Sequence, residues 1–296
     1  MTRILDSHIH AYPSEVFANP RAWGETHGEP WWTESVAPLD RPSIQGWADL
    51  NQLLRDMDHA GIEQVVMLGW YWQQPSTCEL QNQWFLEWHH LHPDRIKAFA
   101  TVQPAAGPRG LDNVRRCLDA GLLGIGELRP QIQGFSLADD SFAALAQLAA
   151  TREVPINLHV TDPTLDGRPG AIATPLADYV FAAQSFPDTT FILAHWGGGL
   201  PFHELTPRVA RALRNVYYDT AASPLLYRIE VFRRVVNLIG ADRILFGSDY
   251  PLRLYPRTES APGFERFLND IRHAGLSSAE LDAIMGDNLR RLLRLP

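Results

Sequence analysis

The segment Ile4-Leu5-Asp6-Ser7-His8-Ile9-His10 combines a short apolar run with two histidines that are separated by one residue. Side chains alternate between the two faces of a β-strand, so His8 and His10 point to the same side, about two residue rises apart. That spacing lets two imidazoles bind one metal ion. Two histidines can also line the solvated end of a barrel without any metal, and the pair alone leaves both interpretations open.

Further apolar runs rich in β-branched residues alternate along the chain with stretches of helical period. The predicted strands cover residues 3–10, 64–69, 96–103, 123–129, 155–161, 190–197, 215–220 and 243–249. The predicted helices cover residues 47–60, 78–92, 110–120, 140–151, 175–185, 204–213, 227–239 and 263–295, the last one broken near 275–278. Strands that are each followed by a helix predict an α/β fold, a (β/α)8 TIM barrel. Because no low-complexity linker interrupts the pattern, we predict a single domain over residues 1–296.

A long segment separates the first predicted strand from the first predicted helix. Residues 11–46 contain five prolines and three tryptophans, with no clear period. Loops of this length inside compact domains are usually functional, and the loops that follow barrel strands lie on the face that carries active sites. We therefore predict a lid or pocket wall here, with a rigid surface excursion as the alternative.

The composition limits the chemistry. The chain has 296 residues, of which 45% are apolar and 20% charged, and its net charge is −8. This is globular composition, and the negative charge argues against a nucleic-acid partner. Lys97 is the only lysine, which argues against Schiff-base and P-loop phosphate chemistry. The 11 histidines, in contrast, are a generous supply of metal ligands.

Two cysteines and the absence of long apolar runs indicate the compartment. Cys78 and Cys117 lie far apart in predicted helices, which suits buried thiols and neither a disulfide framework nor a cysteine-rich zinc site. The N-terminal residues have no apolar signal region, and no run of 18 apolar residues occurs. We predict a cytoplasmic protein whose partner is a small-molecule substrate and which does not bind a membrane.

Three more predicted strands end in a residue type that binds metals. His159 ends the fifth strand, His195 the sixth and Asp249 the eighth, each directly after an apolar run. The C-terminal ends of barrel strands share one face, and burying a polar group there without a partner is costly. Together with His8 and His10, these residues suggest a shared ligand, for which a divalent metal is the natural choice.

Five motifs make the chain similar to the amidohydrolase superfamily. Within it, the chain resembles the branch of aminocarboxymuconate semialdehyde decarboxylase, related aromatic-acid decarboxylases and dicarboxylate lactonases. The resemblance implies a TIM barrel of the metallo-dependent hydrolase type, and it is specific for fold and metal site but poorly specific for substrate. In family order, the motifs are Asp6-Ser7-His8-Ile9-His10, Leu158-His159, Ala194-His195-Trp196-Gly197-Gly198, Leu245-Phe246-Gly247-Ser248-Asp249-Tyr250-Pro251 and Met285-Gly286-Asp287-Asn288-Leu289-Arg290-Arg291-Leu292-Leu293.

The resemblance implies that His8, His10, His159 and Asp249 hold one divalent metal, most often zinc, with a water molecule completing the coordination. Manganese and iron suit the same ligands. Zinc lowers the pKa of its bound water to about 7, which provides hydroxide near neutrality. Asp249 would accept the proton of that water as a general base. His195 would bind a second metal or act as an acid/base and oxyanion-stabilising group.

Glu127 bears on whether a second metal fits. Many binuclear members of the superfamily bridge their metals with a carbamylated lysine on the fourth strand, and the fourth predicted strand here has no lysine. Some members have a bridging glutamate on that strand, so Glu127 could bridge a second metal or support the ligands of the first. Pairing with Arg129, two residues on and on the same face, is the other alternative.

Several residues beside these motifs could bind a substrate. Arg129 is the best candidate for an anion, because a guanidinium grips a carboxylate with two parallel bonds, although a structural pairing is equally open. Arg253 is a weaker candidate of the same kind. Trp70, Trp196 and Tyr250 could line a pocket for a flat or apolar substrate, and each could equally pack loops.

The ligand set with a general-base aspartate leads us to predict a metal-dependent hydrolase of a small ester, lactone or amide. The alternative is metal-dependent non-oxidative decarboxylation of an aromatic or unsaturated carboxylic acid, a lyase reaction. The negative charge of Glu127 disfavours it where a carboxylate must bind. A non-catalytic metal-binding barrel is the third hypothesis. The resemblance also makes a homodimer one option for assembly.

Overall fold

The computed structural model describes residues 3–165, 172 and 174–295. Its strands are Ile4–Ile9 (β1), Ile62–Met67 (β2), Ile96–Ala98 (β3), Ile125–Leu128 (β4), Ile156–Leu158 (β5), Phe191–Leu193 (β6), Val216–Asp219 (β7) and Ile244–Leu245 (β8). Its helices as far as residue 203 are Ser14–Ala18 (α1), Pro20–His27 (α2), Pro30–Val36 (α3), Leu50–Ala60 (α4), Pro75–Leu91 (α5), Pro108–Asp119 (α6), Pro130–Gln133 (α7), Asp140–Arg152 (α8), Leu176–Ser185 (α9) and Leu200–His203 (α10). The remaining helices are Pro207–Ala212 (α11), Ser223–Leu226 (α12), Val231–Ile239 (α13), Glu265–Arg272 (α14), Ser278–Asp282 (α15) and Asn288–Leu293 (α16), with a π-helical turn over Ala283–Asp287.

Each observed strand overlaps a predicted one, but all eight end earlier than predicted. β6 ends at Leu193 and β8 at Leu245, although the apolar runs suggested strands as far as 197 and 249. The reason is local, because His195 and Asp249 have positive φ angles of 58° and 68°, which no strand accommodates. The polar residues that follow the apolar runs therefore lie on turns rather than on the strands themselves.

Two helix predictions need correction, and one break is confirmed. The predicted helix 204–213 is shorter than expected, since only α11, Pro207–Ala212, lies there and Pro207 begins it at its first turn. The predicted helix 227–239 begins only at Val231. The predicted break near 275–278 is confirmed by Gly275, with a φ of 76°, and by Ser277, which caps α15.

The described residues form two compact units. The first unit comprises the described residues of 1–67, 88–97 and 220–296, and the second those of 68–87 and 98–219. In the first unit, β1 and β2 pair in parallel with Ile4 opposite Ile62 and Ile9 opposite Met67. In the second unit, β4, β5, β6 and β7 follow one another as parallel neighbours. Most of these strand residues are buried on both faces, which explains why the strands read as continuous apolar runs.

The segment that follows β1 contains three short helices, α1 to α3, which its sequence pattern did not indicate. Trp32 lies at their centre with no exposed surface, and its ring centroid is 5.1 Å from Trp23, 6.0 Å from Tyr12 and 6.1 Å from Trp47. Gly28, with a φ of 71°, ends α2 in the left-handed conformation that glycine adopts most easily. The segment thus has an aromatic core of its own, and its role as a lid or pocket wall stays a prediction.

Replacing Trp32 should reveal how much this aromatic core contributes. Trp32→Ala is expected to lower the free energy of unfolding by roughly 3–5 kcal/mol, because it empties a fully buried indole site. The matched control is Trp31→Ala on the same helix, whose side chain is 44% exposed and should cost about 1 kcal/mol or less. Urea denaturation of both variants measures the difference. Equal losses for the two would contradict the assignment of Trp32 to the core.

The remaining expectations for the chain concern its thiols and its helices. Cys78 and Cys117 are both buried and neither forms a disulfide within the described residues, and burial raises the pKa of the Cys117 thiol to about 11. None of the described helices is both long enough and apolar enough to cross a membrane.

Candidate metal centre and active site

Two histidines and an aspartate meet in the first unit, and we call His8, His10 and Asp249 the first donor set. The backbone brings them together, since the Asp249 N–H donates to the His8 carbonyl at 2.9 Å and the His10 N–H to the Tyr250 carbonyl at 2.6 Å. His8 Nε2 lies 3.3 Å from His10 Nε2, and Asp249 Oδ1 lies 3.7 Å from the first nitrogen and 3.3 Å from the second. All three side chains are buried.

The chemistry and spacing of the first donor set fit a divalent metal. Ligand atoms about 2.1 Å from one ion lie roughly 3.0–3.4 Å apart at the angles of tetrahedral or octahedral coordination. The separations of 3.3, 3.3 and 3.7 Å in this set are close to that range. Imidazole nitrogens and a carboxylate oxygen are also the ligand types that zinc, manganese and iron accept.

Asp6 holds the backbone that carries the first donor set through hydrogen bonds, and sequence reasoning assigned it no role. Its Oδ1 accepts hydrogen bonds from the backbone N–H groups of His8 and Ser248, both at 3.0 Å. Complete burial raises the pKa of the Asp6 carboxyl to about 7, against the opposing effect of its hydrogen bonds. Asp6 therefore ties the strand that carries His8 to the turn that carries Asp249.

A second group of possible metal ligands lies in the second unit, and we call Glu127, His159 and His195 the second donor set. His159 Nδ1 lies 2.8 Å from Glu127 Oε1 and 3.2 Å from His195 Nε2. His195 Nε2 is 3.7 Å from the same Glu127 oxygen. One ligand atom from each residue lies within 4.8 Å of the others, so this set could also hold an ion. Glu127 thus lies near two imidazoles, which a role as a metal bridge or as a support for metal-binding histidines requires.

Burial and charge keep His159 neutral. Desolvation is the largest cause that lowers the pKa of its imidazole to about 3, and the nearby positive charge of Arg129 acts in the same direction. Glu127 raises that pKa without offsetting the other two effects. A neutral imidazole is the form that binds metals, so His159 is in the right protonation state near neutral pH.

His195 depends on a buried aspartate that sequence reasoning missed. The Asp219 carboxylate accepts hydrogen bonds from the His195 backbone N–H at 2.9 Å and from Asn157 Nδ2 at 3.3 Å. Such support suits the left-handed backbone of His195, which is unfavourable for a residue with a side chain. Asp219 ends the seventh strand just as His195 follows the sixth, so the strand-end rule could have identified it.

Removing the Asp219 carboxylate should destabilise the fold. Asp219→Ala is expected to lower the free energy of unfolding by about 2–4 kcal/mol, because it leaves the buried His195 N–H and the Asn157 amide without their acceptor. Urea denaturation measures the loss, and Asp188→Ala on the exposed surface of the same unit is the control. A loss no larger than that of the control would contradict the bracing role of Asp219.

Two predicted substrate-binding residues lie beside the second donor set. The buried guanidinium of Arg129 donates to the Tyr71 hydroxyl and to Thr161 Oγ1, both at 3.1 Å. Trp70 is half-buried, and its ring centroid is 4.1 Å from that of Tyr71. The Tyr71 ring in turn lies 5.2 Å from the ring of His159. Arg129 and Trp70 thus belong to the same neighbourhood as His159.

The other predicted substrate-binding residues have packing contacts. Trp196 has no exposed surface. Tyr250 is buried, stacks on Phe264 at 4.4 Å and donates its hydroxyl hydrogen to Asp56 at 2.5 Å. Arg253 is half-buried, and its guanidinium and backbone N–H donate to the carbonyls of residues 43 and 44. Trp196 is thus buried and Tyr250 and Arg253 have contacts within the chain, while the roles of all three in substrate binding stay predictions.

The sequence itself decides the family. The sequence profile of the Amidohydrolase family matches residues 5–295, which is nearly the whole chain. The chain belongs to the amidohydrolase family. The predicted resemblance is thereby confirmed, and the motifs from Asp6 to Leu293 on which it rested lie inside the matched region.

Three similar proteins have an activity stated in their names. The chain is 22% identical over 272 residues to 2-amino-3-carboxymuconate-6-semialdehyde decarboxylase of Dictyostelium discoideum, covering 81% of this chain and 74% of that one. It resembles the crystal structure of 5-carboxyvanillate decarboxylase from Sphingomonas paucimobilis with a TM-score of 0.77 at 15% identity, over 100% of both chains. A dihydroxybenzoic acid decarboxylase from a Polaromonas species, solved with manganese and the inhibitor 2-nitroresorcinol, has a TM-score of 0.72 at 18% identity, over 100% of this chain and 98% of that one.

These likenesses confirm the predicted (β/α)8 TIM-barrel fold for this amidohydrolase and correct our prediction of its reaction. Hydrolysis of an ester, lactone or amide is wrong as the leading interpretation, because the relatives with a stated activity are decarboxylases. The argument against decarboxylation relied on the negative charge of Glu127. It neglected the nearby positive charge of Arg129, which changes the pKa of His159 in the opposite direction to Glu127.

Proposed function

We propose that this amidohydrolase is a metal-dependent, non-oxidative decarboxylase of an aromatic or unsaturated carboxylic acid. The observation that carries the proposal is the combination of a metal-type donor set with decarboxylase relatives that match over most or all of the chain. Decarboxylation breaks the bond between the carboxylate and its carbon, releases carbon dioxide and leaves an electron pair that takes up one proton. The enzyme must therefore bind an anion, stabilise a carbanion-like charge and deliver a proton.

The proposed metal ligands are His8, His10, Asp249 and His159, as the family resemblance implies. The short separations within the first donor set support this assignment, and the neutral imidazole of His159 supports it as well. A divalent ion would supply Lewis-acid charge that binds the substrate carboxylate and stabilises negative charge as the carbon–carbon bond breaks. Manganese in the Polaromonas decarboxylase makes Mn²⁺ our first choice, with Zn²⁺ and Fe²⁺ as ions that suit the same ligands.

Two side chains have proposed roles beyond metal binding. Asp249 carries the proton that replaces the carboxyl group, since its carboxyl can hold one proton and lies in the first donor set. His195 lies in the second donor set and stabilises the charge that develops on the substrate, with its backbone held by Asp219. Glu127 orients His159 through the contact of 2.8 Å and so fixes which ring nitrogen faces away from the carboxylate.

The test is carbon dioxide release from a panel of carboxylated phenols and unsaturated acids, with enzyme loaded with Mn²⁺. We expect at least one acid to release carbon dioxide, and in D₂O to give a product that carries one deuterium at the carbon that lost the carboxylate. The same enzyme is assayed on esters, lactones and amides. Turnover of one of these with no carbon dioxide from any acid would contradict the proposal.

A further inference from the structure

We infer that Arg129, with the hydroxyl groups of Tyr71 and Thr161, forms a subsite for a second carboxylate of the substrate, one that stays on the molecule. This inference rests on the proposed function and names its substrate class, an aromatic or unsaturated dicarboxylate. The subsite lies wholly in the second unit, and the Tyr71 ring centroid is 5.2 Å from that of His159. It therefore adjoins the second donor set.

The subsite is built around a buried cation. Arg129 is only 4% exposed, and its two terminal nitrogens donate to the hydroxyl oxygens of Tyr71 and Thr161 at 3.1 Å each. The guanidinium carbon is also 5.2 Å from the centre of the Tyr71 ring. A guanidinium is planar and rigid, so holding two of its nitrogens fixes the direction of the whole fork. The positive charge of the fork is thus held in a fixed position among buried side chains, where water screens it less than at the surface.

The two hydroxyl groups add donors to that positive charge. A hydroxyl that accepts a hydrogen bond from a guanidinium still has its own hydrogen to donate. Thr161 Oγ1 lies 3.3 Å from His159 Nε2, so its hydrogen can turn to either that nitrogen or an anion. The Tyr71 hydroxyl provides a second O–H beside the fork. Charged and neutral donors that converge in this way match the oxygens of a carboxylate.

The backbone that carries Arg129 is held before any ligand arrives. The Gln133 side chain accepts a hydrogen bond from the Arg129 N–H at 3.0 Å and donates to the carbonyls of Trp72 at 3.1 Å and Val102 at 2.9 Å. Gln133 thus ties the turn after β4 to the segment that carries Tyr71, and it is 4% exposed. A site held in its binding geometry loses less entropy when the ligand binds.

The chemistry of the reaction decides which carboxylate this is. Interactions accelerate a step only when they are stronger in the transition state than in the ground state. The carboxylate that leaves as carbon dioxide loses its negative charge, so a strong ionic contact with Arg129 would oppose its departure. A carboxylate that stays on the substrate keeps its charge throughout, and Arg129 can bind it without slowing the reaction. Arg129 is therefore a specificity-determining residue rather than a group that acts on the breaking bond.

The experiment compares dicarboxylates with matched monocarboxylates in wild type and Arg129→Lys. The lysine keeps the positive charge but lacks the planar fork of donors. We therefore expect KM for the dicarboxylate to rise roughly 10–100-fold, which corresponds to the loss of one to two charge-assisted hydrogen bonds. The kcat for the dicarboxylate and the KM for the monocarboxylate should change less than about threefold. Tyr71→Phe and Thr161→Val each remove one hydroxyl with little change in shape, and each should raise KM for the dicarboxylate about 3–10-fold. The matched control is Arg109→Lys, an exposed arginine of the same unit that pairs with Glu79 and should leave both substrates unaffected.

A binding measurement separates this inference from the proposed function. Calorimetric titration of the metal-loaded enzyme with isophthalate and with benzoate needs no turnover, and we expect isophthalate to bind at least about 10-fold more tightly in wild type but not in Arg129→Lys. That result supports the subsite even if no acid is decarboxylated. Two results would overturn the subsite. One is decarboxylation in which all three variants keep the wild-type preference for dicarboxylates over monocarboxylates. The other is equal affinity of the wild type for isophthalate and benzoate. Arg129→Lys that lowers the unfolding temperature without changing that preference would show a purely structural arginine.

Discussion

Asp249→Asn is expected to lower the rate of carbon dioxide release by at least about 10³-fold while the chain keeps its fold. The amide has almost the shape of the carboxyl group, so the turn that donates to the His8 carbonyl should persist. The variant loses the negative charge of the oxygen that lies 3.3 Å from His10 Nε2, and with it the charge of a proposed metal ligand. It also loses the proposed proton carrier, a role that by itself contributes about 10²–10⁴-fold.

The measurement is kcat on the best acid of the substrate panel, with circular dichroism and thermal unfolding as checks on the fold. Asp242→Asn is the matched control, because this exposed aspartate lies just before β8 and belongs to neither donor set. Its kcat should stay within about twofold of wild type. An Asp249→Asn enzyme that retains more than a tenth of the wild-type rate would contradict both roles of Asp249.

Removal of the bound metal is expected to abolish turnover, and one equivalent of Mn²⁺ per chain should restore it. The first donor set offers three ligand atoms at separations that fit one ion, and the family resemblance makes His159 the proposed fourth ligand. A ligand that binds only the folded chain also stabilises it, by about 2.7 kcal/mol at 100 times its Kd. The unfolding temperature should therefore fall with the chelator and recover with the ion.

Elemental analysis of the reconstituted protein measures the number of ions. His10→Ala removes a ligand of the first donor set and should lower both the metal content and the rate, whereas His273→Ala changes an exposed histidine and should lower neither. Two ions per chain at saturation would instead make Glu127 a bridge between metals. Full activity of the metal-free chain would contradict the metal dependence itself. Parallel reconstitution with Zn²⁺ ranks the two ions by the rate each supports.

The strand-end pattern carried most of the sequence-based prediction. A polar residue directly after a buried apolar run marks the C-terminal end of a strand, and this identified His159, His195 and Asp249. The same signal was present at Asp219 and was not used, although the structure shows its carboxylate holding the His195 backbone. Local chemistry is visible in a sequence because it depends on neighbours a few residues away.

Support between distant segments could not be predicted. Asp6 accepts hydrogen bonds from two backbone N–H groups: that of His8, two positions away, and that of Ser248, 242 positions away. Gln133 joins the turn of Arg129 to residues 31 and 61 positions away. No periodicity marks such a side chain, because its partners are backbone groups that any residue type carries. The choice between hydrolysis and decarboxylation was likewise beyond the motifs, which both reactions share.

The five motifs and the alternation of strand and helix were enough to predict the family and the fold, and they named the residues that we propose as metal ligands. Only the tertiary structure decided that Tyr250 and Arg253 are engaged in packing, that Trp32 is the centre of a small core, and that Arg129 faces two hydroxyl groups. The physical reason is that residue type fixes what a side chain can bind. What it does bind is fixed by segments remote in sequence that folding brings within a few ångströms.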